Sequence, residues 1–232
     1  YTYGHAGYEG IIQISAKEGN IEVLNGKLRL INAENVLIKV KIVRLENAAQ
    51  SQRKFIKQEL KSLPNDYFGL FGKHVVEHRK LFKSAELILT DSIFNDISNE
   101  DLLAQLHQDG ATPLFVERAY AMGRYLFISS CGRYAPPLQG IWGGGWKPAW
   151  AGGFVLDSNV NLQISAGIVG NMHESMKCYF DFIERLLPGW RDNANKLLGC
   201  RGFLPANYAN PETGYLDHFT AKHIWVYWPG GA

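Results

Sequence analysis

Asn159-Val160-Asn161 sets two carboxamides at i, i+2, just after a stretch holding Trp142, Trp146 and Trp150. Flat apolar faces beside compact polar groups are what a sugar needs: rings stack on indoles, and amides or carboxylates take the hydroxyls. Asp157, two residues before the first asparagine, can grip a hydroxyl pair, assist the asparagines, or close an Asx-turn with Ser158. All six tryptophans stand at or beyond position 142, so the aromatic chemistry sits in one part of the chain. Tryptophans often fill helical cores. Here, however, Gly143, Gly144, Gly145, Gly152 and Gly153 run among them, and glycine disfavours helix. The expectation is a loop at the mouth of a pocket. An amide carbonyl is far too weak a base to take a proton from water, although it accepts a hydrogen bond well. On the residues alone, Asn159 and Asn161 read first as capping the helix that follows them, with a polar contact to a sugar as the alternative.

Other groups compete for a role. Asp217, His218, His223, Trp225 and Trp228 form a polar-aromatic cluster that, on the residues alone, reads as packing. Glu212, in Asn-Pro-Glu-Thr-Gly, reads as a solvated turn that could face a sugar. Glu174 beside His173 reads as a helix start. His74 and His78 at i, i+4 lack a third ligand, so a packed or surface pair is expected and no metal is assigned. Gly143-Gly144-Gly145 lacks the Lys-Ser/Thr of a phosphate loop. No cofactor is implied.

The balance of the chain excludes several classes. Lys and Arg number 24 against 22 Asp and Glu, a formal charge of +2. The one basic stretch, 54–61, reads as a wet helix face, and no nucleic-acid partner is implied. No apolar run approaches the roughly 20 residues of a membrane span. The partner expected is an oligosaccharide or polysaccharide. Cys131, Cys178 and Cys200 are odd in number and widely spaced, matching neither a zinc site nor a disulfide framework, and read as buried thiols. The first residue is tyrosine, so the true start is expected upstream; a cytoplasmic and a secreted bacterial location both fit.

The elements that must position these groups are legible from periodicity. Residues 11–15, 21–24 and 27–31 read as short strands, the last two joined by the hairpin signal Asn25-Gly26. Val36, Ile38, Val40 and Ile42 alternate with Lys39 and Lys41, predicting one buried apolar face and one wet face. From Ser51 the period turns helical, with Phe55, Ile56, Glu59, Leu60 and Leu63 on one side, and Pro64-Asn65-Asp66 ends that helix. A second helix carries Tyr67, Phe71, Val75, His78 and Phe82, and 85–90 reads as a strand returning to the sheet. Beyond Asn95 all is helical: a start at Ser98 with acids in its first turn, a longer helix over about 113–130, the Trp and Gly loop, then helices near 159–169, 174–187 and 191–198. Helices joined by long loops suggest a helical barrel.

Several stretches resemble the catalytic region of glycoside hydrolase family 95: Arg124-Tyr125-Leu126, Leu138-Gln139-Gly140-Ile141-Trp142, Pro148-x-Trp150, Asn159-Val160-Asn161-Leu162-Gln163 and Trp228-Pro229-x-Gly231-Ala232. Known members of that family are α-L-fucosidases and α-L-galactosidases. The resemblance spans nearly the whole chain, and its specific part is 123–163. It implies a multidomain α and β fold: the end of an N-terminal antiparallel β-sandwich (1–50 and 82–94), a helical linker (51–81), and the first half of an (α/α) six-hairpin barrel (95–232). It implies an inverting glycosidase in which Asn159 and Asn161 orient the water, polarised by a distant carboxylate. Asp157, Trp142, Trp150, His218 and Trp225 become substrate contacts. The family's Asn-x-Asn commonly runs on into Met-Asn-Tyr-Trp, whereas here Leu162-Gln163-Ile164-Ser165 follows, so the resemblance does not fix L-fucose as the sugar.

A barrel of twelve helices of about 11–12 residues with loops of about 4–6 needs roughly 200 residues, more than 95–232 supplies. The chain is therefore expected to be a fragment, with the general acid and the polarising carboxylate beyond Ala232. Two other readings stand beside the glycosidase: a carbohydrate-binding relative that has lost its chemistry, and another reaction on the same barrel, a phosphorylase or lyase.

Overall fold

The computed structural model describes residues 2, 3, 6–90, 96–145, 147–156 and 158–216. Its architecture is mixed, with helices and small antiparallel sheets, and it divides into two units, 1–78 and 79–232. The first unit carries β1 (Thr2–Tyr3), β2 (Ala6–Lys17), β3 (Asn20–Leu24), β4 (Lys27–Ile31) and β5 (Asn35–Leu45). β1, β2 and β5 pair antiparallel in that order, and β3 pairs with β4 alone. Asn25 and Gly26 sit at φ 50° and 72°, the left-handed pair that a two-residue hairpin turn uses, and Leu24 faces Lys27 across it.

β5 alternates as expected, but its sides are reversed. Val36, Ile38, Val40 and Ile42 are the exposed residues, Ile42 at 63%, while Lys39 is only 6% exposed. The cause is α1 (Arg53–Ser62), which packs on β2 and β5 through Ile56 and Leu60. The Lys39 ammonium donates to the carbonyls of Leu60 (3.0 Å) and Leu63 (3.1 Å) and to Asn65 Oδ1 (2.8 Å). A cation there satisfies carbonyls left open at the helix C-terminus and complements its dipole, and the aliphatic stem fills space beneath the helix. Lys54, Lys57 and Lys61 face solvent.

α2 (Tyr67–Phe82) begins where the Asp66 carboxylate accepts from the Phe68 and Gly69 amides, at 3.1 and 2.9 Å. The strand expected at 85–90 is absent. The amides of Leu89 and Thr90 are taken instead by the Glu117 carboxylate, at 2.7 Å for Thr90, so a side chain replaces the ladder partner. α3 (Asn99–Asp109) is capped by Ser98, whose hydroxyl accepts from the Asp101 amide at 3.0 Å. α4 (Pro113–Ser130) is capped by Thr112 and opens on proline, which needs no amide partner there.

The core of this unit forms around α5 (Asn159–Ile164) and α6 (His173–Leu198). α6 is one helix where two were expected. Phe182, Leu186, Trp190 and Ala194 recur every four residues on its buried side, so packing before and after Pro188 holds the helix through it. Gly189 is required there, because a Cβ would overlap the carbonyl of Thr213. α5 stops at Ile164, short of the expected 169, where Gly167 lies so close to the Met176 side chain that a Cβ would overlap it. A two-residue ribbon, β6 (Phe154–Val155) with β7 (Tyr208–Ala209), closes over α6. No helix among the described residues is long and apolar enough to cross a membrane.

Candidate active site

The tryptophan segment is a loop latched at several points. Leu138 N–H donates to Gly153 O (3.0 Å), Gln139 Nε2 to Ala149 O (2.8 Å), and the Tyr208 hydroxyl to the Trp150 carbonyl. Ala149–Gly152 forms a 3₁₀ turn in which Trp150 and Ala151 take φ near 53° and 52°, a left-handed region costly to residues with a Cβ. Gly153 passes so close to the Tyr208 ring that only glycine fits.

Trp142 is 46% exposed and Trp150 64% exposed, so neither belongs to a helical core. Trp142 lines a groove of about 370 Å³ with Ser130, Leu138, Gln139, Gly140 and Gln163, beside Leu126 and Phe127 at its floor. One indole, two carboxamides and a hydroxyl thus share a concavity. Trp190, by contrast, is fully buried against Phe182, Leu186 and Leu156.

α5 brings the asparagines to this region. Asn159 is its first residue and is exposed; it lies one turn before Gln163, on the same helix face. Neither asparagine stands at the cap position, which Ser158 occupies without a side-chain hydrogen bond to the helix. Asn161 is half-buried: its Nδ2 donates to Leu156 O (3.0 Å) and its Oδ1 accepts from the Tyr179 hydroxyl (2.9 Å). This orients the carboxamide. Tyr179, on α6, packs against both hydrophobic clusters of the unit, and burial pushes its pKa up. Periodicity gave no sign of this partner, since a tyrosine on a helix face reads as packing.

Glu212 is held more firmly than a solvated turn would be. Asn210 Oδ1 accepts from the amides of Glu212 (3.0 Å) and Thr213 (3.1 Å), and the Tyr134 hydroxyl donates to the Glu212 carboxylate. The Arg185 guanidinium lies 4.8 Å from the Tyr134 ring centre. Glu174 opens α6 from its first turn. The histidine pair of α2 packs ring to ring at 5.7 Å. Cys178 is buried and Cys131 half-buried, but Cys200 is exposed, against expectation, because it follows the C-cap Gly199. Asp157, Trp146, Asp217, His218, His223, Trp225 and Trp228 lie outside the described residues.

An exposed indole beside carboxamides, on a loop latched to a helical scaffold, is the furniture of a carbohydrate-processing domain. The glycosyl hydrolase family 95 catalytic domain matches residues 66–232, and the chain belongs to that family. It is similar to alpha-L-fucosidase 2 of Arabidopsis thaliana, at 29% identity over 72% of this chain and 20% of that protein. It is also similar to probable alpha-fucosidase A of Aspergillus niger, at 28% identity over 83% of this chain and 23% of that protein. The chain thus spans about a fifth of the length of these relatives.

Proposed function

We propose that the complete protein is an inverting glycosidase that removes a terminal α-linked sugar, L-fucose, L-galactose or a close relative, from an oligosaccharide. The observation that carries this is the orientation of Asn161 by Tyr179 on the same short helix that supplies Gln163 to the Trp142 groove. The family and the names of the two relatives support the substrate class.

In this reading Asn159 and Asn161 hold a water as hydrogen-bond acceptors, and a carboxylate elsewhere in the protein polarises them, since an amide alone cannot take the proton. Inversion requires a second carboxylic acid on the leaving oxygen, across a gap wide enough for that water. Trp142 and Trp150 supply stacking faces, Asp157 grips a hydroxyl pair, and His218 with Trp225 forms the opposite wall. Residues 95–232 contribute the first half of an (α/α) barrel, and the strands of the first unit contribute the end of a β-sandwich.

The test is hydrolysis of aryl α-L-fucoside and α-L-galactoside by the complete protein, followed by proton NMR. The first-formed sugar is expected to be the β-anomer. Asn159→Ala and Asn161→Ala are each expected to lower turnover by about 10²–10⁴, the range for positioned proton-transfer groups. An α-anomer formed first would overturn inversion. Sugar binding without turnover would assign the protein to the carbohydrate-binding class.

A further inference from the structure

The groove beside Trp142 can hold a sugar but cannot cut one. Leu126 and Phe127 of α4 line it together with the turn at 137–142 and Gln163 of α5. The turn is fixed by its own backbone: the Gly140 amide donates to Pro137 O (2.9 Å) and the Trp142 amide to Gln139 O (3.1 Å). Gly140 takes φ 57°, and a Cβ on it would come within 3.1 Å of the indole. Glycine there lets the ring rest against the turn while much of it stays open to solvent. We propose that this groove is the subsite for the leaving part of the oligosaccharide: it holds the neutral pyranose to which the removed sugar was attached. The inference rests on the glycosidase reading above and gives the groove its place within it.

Chemistry decides first what the groove does. Among the described residues no titratable side chain lines it, whereas glycoside hydrolysis needs a proton donor at the leaving oxygen and a base for the water. Its equipment is that of binding alone. The half-exposed indole and the apolar floor offer flat apolar contact. The Ser130 hydroxyl donates to Leu126 O at 2.8 Å, which leaves its oxygen as an acceptor. The Gln163 side chain is exposed and makes no hydrogen bond among the described residues. That set suits a neutral hexopyranose with one apolar face, as in a β-galactoside: ring C–H groups stack on the indole and hydroxyls meet neutral donors and acceptors. A uronic acid or a sulfated sugar would bring a charge that no cation in the groove answers.

Position then decides which sugar it holds. The removed sugar must touch the water that the asparagines position, yet neither Asn159 nor Asn161 lines the groove. In an inverting displacement the water and the leaving oxygen lie on opposite faces of the anomeric carbon. The leaving sugar is therefore displaced from the asparagines, with the removed sugar between. Gln163 stands one helical turn, about 5.4 Å of rise, beyond Asn159 on the same face of α5. Asn161 is engaged by Leu156 O and the Tyr179 hydroxyl, so the groove continues the site from its Asn159 side.

The experiment uses the complete protein and two substrates that share the terminal sugar, L-fucose or L-galactose, whichever is turned over. One is its α-glycosyl fluoride, which has no leaving sugar. The other is the same sugar α-linked to methyl β-D-galactoside. Trp142→Ala is expected to lower the ratio of the two kcat/KM values, galactoside over fluoride, by about ten-fold. Gln163→Ala, at an exposed position, should lower it by about three- to ten-fold. The loss should fall mainly in KM, because the groove grips the leaving sugar alike before and during the reaction. Trp142→Phe keeps a flat ring and should restore most of the ratio. Equal losses on both substrates would overturn the subsite by placing the removed sugar in the groove. An unchanged ratio in both alanine variants, with the fluoride still hydrolysed, would overturn the subsite and leave the glycosidase reading standing. A parent protein inactive on both substrates would overturn that reading and the subsite with it.

Discussion

The side chain on which the site reading turns is a tyrosine. Asn159-Val160-Asn161 was visible in the sequence as a pair of carboxamides, but whether they cap a helix or face a ligand depends on what touches them. Ser158 takes the cap position, and Tyr179, eighteen residues further on, fixes Asn161. No local pattern encodes such a partner. Because burial raises the Tyr179 pKa above its ordinary value of 10.0, the hydroxyl remains a donor through neutral and mildly alkaline pH. Tyr179→Phe keeps the ring packed in both clusters and deletes only that donor. It is expected to cost about 1–2 kcal/mol of stability, the range for a half-buried hydrogen bond to a retained partner. In the complete protein it is also expected to lower kcat by about ten-fold with KM nearly unchanged, since a loosened carboxamide misplaces water rather than sugar. Denaturant titration and steady-state kinetics separate the two effects; loss of stability with full kcat would leave Tyr179 a packing residue.

At the scale of elements, what was legible was local. Asn25-Gly26, the Ser98 and Thr112 caps and the proline at the start of α4 each act within a few residues, and each element starts or turns where those residues require. What failed needed a partner from elsewhere. Alternation in β5 was read correctly but its sides were not, because only α1 decides which side is covered and Lys39 can be buried when its ammonium has three acceptors. The gap expected between helices 174–187 and 191–198 was overridden by packing, and the strand expected at 85–90 was replaced by a carboxylate clamp. Two predictions belong here. Arg124 is 3% exposed, and its guanidinium donates to the carbonyls of Leu81 (3.0 Å) and Phe82 (3.0 Å), to Ser84 Oγ (3.1 Å) and to Gly170 O. Lysine cannot reproduce that fork, so Arg124→Lys should leave about two carbonyls unserved and destabilise by roughly 2–4 kcal/mol in denaturant titration. Glu117 has its pKa lowered, first by the Leu89 amide. A lowered folded-state value means the clamp is fully present above the ordinary 4.5 and is lost as pH falls through the folded value. Amide exchange at Leu89 and Thr90 should therefore quicken, relative to the intrinsic rate, below about pH 4.5, and Glu117→Gln should show the quickened exchange at neutral pH. Unchanged protection in that variant would mean the clamp contributes nothing.

At the scale of the whole molecule, the distribution of apolar surface makes the last prediction. On the outer side of the first unit's sheet, Ile12 faces Val40 across the β2–β5 ladder, with Ile42 and Ile38 as their neighbours, and all four are exposed. In the second unit, Leu103, Phe115, Met122 and Tyr125 line an apolar groove of about 500 Å³ between α3 and α4. Apolar surface gathered in this way marks places that another chain or domain covers. The 232-residue chain expressed alone is therefore expected to bind an apolar fluorescent dye and to self-associate at micromolar concentration. The two patches can be told apart, because each yields to a single polar change that leaves the buried core intact. Val40→Thr should reduce sheet-driven association seen by light scattering, and Met122→Lys should reduce dye uptake by the groove. Neither position is among the residues assigned to the sugar, so neither should alter sugar binding in the complete protein. Dye fluorescence of the parent chain no higher than that of a compact globular control would overturn this prediction.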